Sequence, residues 1–132
     1  MFLQELNTEE KVAFLELAHL VANSNGIIDE KEQKMLDTYD YEMGLDLKMQ
    51  DLNDLSISEI VPVFRSTRVK RIVFLEALAV AFADGIYHEE QKSLIQELKV
   101  SFEISDEEYE SFKGWIIKVN SLYVQADELV GA

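Results

Sequence analysis

The chain has 132 residues, 48% of them apolar and 29% charged. That is enough for one hydrophobic core and excludes a disordered acidic tail. The absence of cysteine excludes disulfides, thiolate metal sites and a cysteine nucleophile. Twenty-six acidic against twelve basic residues leave a net charge of −14, which argues against nucleic acid and anionic membrane as partners.

In chain order, the N-terminus shows no basic region followed by an apolar stretch of signal-peptide length, and cytoplasmic residence is the expectation. Asn7-Thr8-Glu9-Glu10 reads as a capping box, in which Asn7 accepts from the Glu10 amide and Glu10 reaches back. The helix that follows is strongly apolar, with Glu16, His19 and Asn23 forming one narrow polar stripe. Ser24-Asn25-Gly26 turns the chain. Asp29 and Glu32 make a second capping box, opening a helix with Met35, Leu36, Tyr39 and Met43 on its apolar face and Gly44 as its stop. Leu45, Met49 and Leu52 predict a short third helix. Ser56 and Glu59 cap a fourth, which Pro62 shortens or kinks.

Residues 61–71 carry Arg65, Arg68, Lys70 and Arg71 and no acid; they read as an internal counter-charge for the flanking acidic stretches, the alternative being a docking patch for an acidic partner. A helix runs from about Arg68 to Ala83. Its stretch 72–83 is apolar apart from Glu76, too short for a bilayer of roughly 20 residues and suited to a central buried helix. A lone carboxylate there must be paired, protonated or at an exposed edge, and pairing to an arginine of 65–71 or to a tyrosine is the expectation. Asp84-Gly85 ends this helix, and His88 starts another with Leu94, Ile95 and Leu98 on its core face. Ser105 and Glu108 cap the last segment, where Tyr109, Phe112, Ile116, Val119 and Tyr123 recur at helical spacing. Tyr109, Phe112, Trp115 and Tyr123 are expected in the core, the alternative being a partner-binding aromatic face, and Gly114 or Asn120-Ser121 is expected to break the segment. No stretch alternates at period two.

Two stretches repeat. Residues 15–36 read LELAHLVANSNGIIDEKEQKML and residues 75–95 read LEALAVAFADGIYHEEQKSLI. Aligning Gly26 with Gly85 sets an offset of 59 and matches Asn25 to Asp84, Ile27 to Ile86 and Glu30 to Glu89. Each half is an apolar helix, an Asn-Gly or Asp-Gly turn, an isoleucine, a cap and an acid-rich helix start. Neither turn, nor Asp51-Leu52-Asn53-Asp54, has the twelve-residue ligand loop of an EF-hand. The expected fold is all-α: one domain over 1–132, a compact bundle of six to eight helices from two pseudo-repeated helix–turn–helix halves.

On AHLVANSNGIIDEKE (18–32) and ALAVAFADGIYHEEQ (77–91), the chain resembles the TerB-like family, named for tellurite resistance protein B. The resemblance implies an all-α domain of two related halves and a non-catalytic role in stress response. It also implies a protein partner in a multi-protein assembly, in some cases membrane-associated through other subunits. It further implies a divalent cation, calcium or magnesium, at clustered acids, here Asp29, Glu32 and Asp84 with Glu89 and Glu90 nearby. The hallmark Asp is Asn25 in the first half and Asp84 in the second; the hallmark Glu is Glu32 in the first and Gln91 in the second. Each half thus lacks one carboxylate.

These acids suit a hard cation if the two turns face each other, and they equally suit helix caps and turns. His19 and His88 have no partner at ligand spacing, and neither a nucleophile triad nor a phosphate-binding loop is present. The functional reading is a non-catalytic, TerB-like stress-response module that binds a partner protein, without nucleic-acid binding or direct membrane insertion. The alternatives are a metal-dependent hydrolase using Asp84 with Glu89 or Glu90, and a self-associating subunit forming a homo-oligomer.

Overall fold

A computed structural model describes residues 2–24, 30–44, 55–83 and 88–131. These form six α-helices and no strand: α1 (Thr8–Ala22), α2 (Glu30–Met43), α3 (Ile57–Ile60), α4 (Thr67–Ala81), α5 (Glu89–Ser101) and α6 (Asp106–Val130). Single 3₁₀ turns at Leu3–Glu5 and Val61–Val63 precede α1 and α4. The bundle of helices expected from the sequence is thus present. The turns at Gly26 and Gly85, and the short helix expected around Leu45, Met49 and Leu52, lie outside the described residues.

The caps set the helix starts. Asn7 Oδ1 accepts from Glu10 N at 2.8 Å, and Glu10 Oε1 accepts from Asn7 N at 2.9 Å, so two amides without intrahelical partners are satisfied reciprocally. Ser105 and Glu108 do the same for α6. Glu59 reaches back to Ser56 N at 3.1 Å, and Pro62 turns the short α3 into 3₁₀ geometry. The cap of α4 is Ser66, whose hydroxyl accepts from Val69 N at 3.0 Å. It starts α4 one residue before Arg68.

The repeat extends across the architecture. Adding 59 to each bound of α1 gives the bounds of α4, and the same offset carries the start of α2 to the start of α5. Asn7 and Ser66 are equivalent caps. Gly44 (φ 68°) and Glu103 (φ 57°), also equivalent, each adopt the left-handed conformation just past their helix. Gly44 is therefore the stop expected of it; in the second half a glutamate takes the same strained position.

The expectation of one central helix needs correction. α1 and α4, the equivalent helices of the two halves, pack on each other more extensively than any other pair. They bury Phe14, Leu17, Ala18 and Val21 against Val73, Phe74, Ala77 and Leu78. Glu16, expected on a polar stripe, is buried, because α1 is covered on more than one side. The remaining layer is α6, whose Tyr109 and Phe112 rings sit 6.3 and 5.6 Å from Phe74.

The cluster 65–71 supplies counter-charge at two positions. Arg68 binds Glu5 through two bonds of 2.8 Å, and Arg71 pairs with Glu108. Both contacts hold the carboxyls of Glu5 and Glu108 below the usual range, chiefly through the guanidinium hydrogen bonds. They also offset the unfavourable placement of cations at the start of α4. No helix among the described residues is long and apolar enough to cross a membrane.

Candidate functional site

The two halves meet at a buried polar junction. Glu32, in the first turn of α2, is 1% exposed, and its equivalent Gln91, in the first turn of α5, is 0% exposed. They meet: Gln91 Nε2 donates to Glu32 Oε2 at 2.7 Å. Gln91 Oε1 accepts from His88 N at 3.3 Å, closing the cap of α5, and Gln91 Nε2 lies 3.5 Å from the Val21 carbonyl. Contact between equivalent residues is the signature of an isologous arrangement. The starts of the two acidic helices therefore come together.

The five expected cation ligands do not all follow. Asp29 and Asp84 lie outside the described residues. Glu32 is buried and accepts from an amide, an arrangement that serves a carboxylate without an ion. Glu89 and Glu90 are exposed on the first turn of α5, where Glu89 pairs with Lys92 at 3.2 Å. Among the described residues no group of three or more histidine or acidic side chains is arranged to hold a metal ion. Those residues do not fit a hard cation by themselves. Of the residues of the hydrolase alternative, Glu89 and Glu90 line an open cleft with Leu20, Ser24 and Lys92, and Asp84 lies outside the described residues.

A second buried acid, Glu76, lies midway along α4. Its Oε2 accepts from the Tyr39 hydroxyl at 3.0 Å, so the tyrosine of the two expected partners is the one used. Burial, reinforced by the Glu76 charge and hydrogen bond, pushes the Tyr39 phenol well above its ordinary range and keeps it a donor. Phe14 packs edge-on against Tyr39 at 5.2 Å and fixes the ring. His19 is half-buried with Nδ1 making no hydrogen bond, and burial lowers its pKa.

The sequence reading that places Trp115 and Tyr123 in the core does not hold for the far half of α6. α6 runs unbroken for 25 residues. The expected break at Gly114 or Asn120-Ser121 does not occur: a mid-helix glycine costs only about 1 kcal/mol relative to alanine, and α6 packs on both sides of Gly114. Tyr109 and Phe112 are partly buried and Ile116 is buried, as expected of core positions. Trp115 and Tyr123 are not core, Tyr123 being 70% exposed. From Asn120 to Val130 every residue of α6 is exposed, over about 16 Å of axis.

On this overhang Leu122, Tyr123, Ala126, Leu129 and Val130 continue the line set by Trp115, Ile116 and Val119. At 100° per residue they form an apolar stripe about 120° wide. The period was in the sequence; where the body of the protein ends beneath it was not. At the root of the overhang α2, α4 and α6 enclose a cleft of about 460 Å³, reached by Tyr39, Glu42, Glu76, Trp115 and Tyr123.

No family model matches the chain, and neither a curated protein nor a solved structure matches it.

Proposed function

We propose that the chain is a non-catalytic, TerB-like stress-response module that docks a partner protein on the exposed face of α6. The observation that carries this reading is the stripe from Leu122 to Val130. An amphipathic helix keeps an apolar face of this width when something covers it. The first half of α6 covers its own stripe with α4, and the second half presents the same stripe to solvent. Large aromatic and aliphatic side chains on a rigid helix are the usual anchors of a protein interface.

Proteins recovered on the full chain from a native lysate test the reading when compared with Leu122→Glu and Leu129→Glu. Both residues are exposed, so the variants keep the fold. The expected result is a protein retained by the wild-type chain and lost with both variants. An identical set on all three chains would overturn the reading.

A further inference from the structure

The cleft at the root of the overhang has a composition that selects the partner. Three aromatic side chains, Tyr39, Trp115 and Tyr123, and two carboxylates, Glu42 and Glu76, line it beside an apolar wall that includes Met35, Leu75, Ile116 and Val119, and no basic residue among the described ones does. Glu76 and Tyr39 are buried and fix one wall through their 3.0 Å hydrogen bond. Glu42, Trp115 and Tyr123 form the outer rim, and the stripe of α6 leads away from it. Aromatic faces carry a negative potential that attracts an ammonium or guanidinium group, by about 0.5–2 kcal/mol each. Carboxylates in a half-enclosed site add to that attraction. An anion would be repelled there, and a purely apolar ligand would strip water from the exposed Glu42 carboxylate without replacing it.

Resting on the docking reading above, we infer that the partner presents a basic amphipathic helix. Its apolar face lies along Leu122, Tyr123, Leu129 and Val130. One of its lysine or arginine side chains enters the cleft between Trp115 and Tyr123 toward Glu42 and Glu76. The net charge of −14 favours such a partner at long range and disfavours a second copy, which would bring fourteen like charges and its own Asp127 and Glu128 to the same face. Docking of an amphipathic helix through its apolar face is an established mode of peptide recognition.

Trp115 is the only tryptophan and lies on the rim, so its fluorescence reports the site. The test titrates the full chain with a synthetic amphipathic helix of leucine and lysine, and with its leucine–glutamate counterpart. The lysine peptide is expected to saturate and to shift Trp115 emission, with affinity falling as salt rises; the glutamate peptide is expected to leave it unchanged. Glu42→Gln should weaken binding about threefold and Tyr123→Ala about fivefold. Glu97→Gln, the same charge change on the exposed face of α5, should have no effect.

Equal weakening by Glu42→Gln and Glu97→Gln would reduce the attraction to diffuse charge and overturn the inference. Equal binding of both peptides, or a sedimentation dimer that the lysine peptide fails to dissociate, would overturn it too. If the lysine peptide fails while a lysate protein is still lost with Leu122→Glu and Leu129→Glu, the docking face stands and the basic helix falls. If those variants lose nothing, the docking reading itself has failed.

Discussion

Replacing Gln91 by glutamate tests the junction on which the pairing of the two halves depends. In the wild type the Gln91 amide donates to Glu32 at 2.7 Å, in a site where neither side chain has more than 1% exposure. A glutamate keeps the acceptor for His88 N but sets an oxygen against Glu32 and near the Val21 carbonyl. The lost bond to a charged group costs about 1.5–3 kcal/mol, and a second buried charge without a partner brings the total to about 3–5 kcal/mol.

Two carboxylates in contact cannot both ionise cheaply, so the pair retains a proton and its pKa rises above the unfolded value of about 4.3. The folded state then binds more protons than the unfolded one. The penalty is absent below about pH 4.3 and grows by about 1.4 kcal/mol per pH unit as pH rises, up to the folded pKa. Urea unfolding followed by far-UV circular dichroism at about pH 7 and about pH 5 should show a large gap from wild type that narrows in acid. Calcium at about millimolar concentration should recover part of the loss by bridging the two carboxylates. Wild-type stability for the variant at neutral pH would show that positions 32 and 91 do not share a dry contact, and the isologous junction would fall.

Three further outcomes are expected. Tyr39→Phe leaves Glu76 without its phenol donor and should lower stability by about 1–3 kcal/mol in the same urea assay. Gly44→Ala should cost about 1 kcal/mol from left-handed strain alone, since nothing lies within 4 Å of the added methyl, while Glu103→Gly at the equivalent position should stabilise. His19, its pKa lowered by burial, favours the neutral imidazole in the fold; its contribution is present above about pH 6.5 and lost as pH falls through and below that value. His19→Gln should flatten the stability profile in that window, and thermal unfolding at stepped pH measures it.

Much of the fold was legible because short-range rules govern it. Asn7 with Glu10 and Ser105 with Glu108 are reciprocal caps that any three-residue window reveals, and the structure forms both. Gly44 was legible as a stop because glycine is the default residue in the left-handed region. Its counterpart Glu103 was not, since nothing in a glutamate announces positive φ. Periodicity placed Tyr123 on the face of Tyr109 and Phe112, but it reports a shared face and not the length of body beneath that face. Burial of Tyr109 and exposure of Tyr123 depend on where α4 and α2 end, a tertiary fact. The tyrosine partner of Glu76 was legible only as a class, because the contact joins residues 37 positions apart.

The pair at 32 and 91 shows why the two halves cannot stay identical. Where equivalent residues of a duplicated unit touch each other, each faces its own counterpart. Two glutamates would set charge against charge in a dry site and require a proton or a cation between them. Glutamate against glutamine instead sets an acceptor against a donor, and the carboxylate is satisfied by an amide hydrogen at 2.7 Å. The missing carboxylate in the second half is therefore a complementary change at a contact. Read along the sequence it counts as a departure from the repeat; read across the junction it is the substitution that lets the repeat close on itself without an ion at that point.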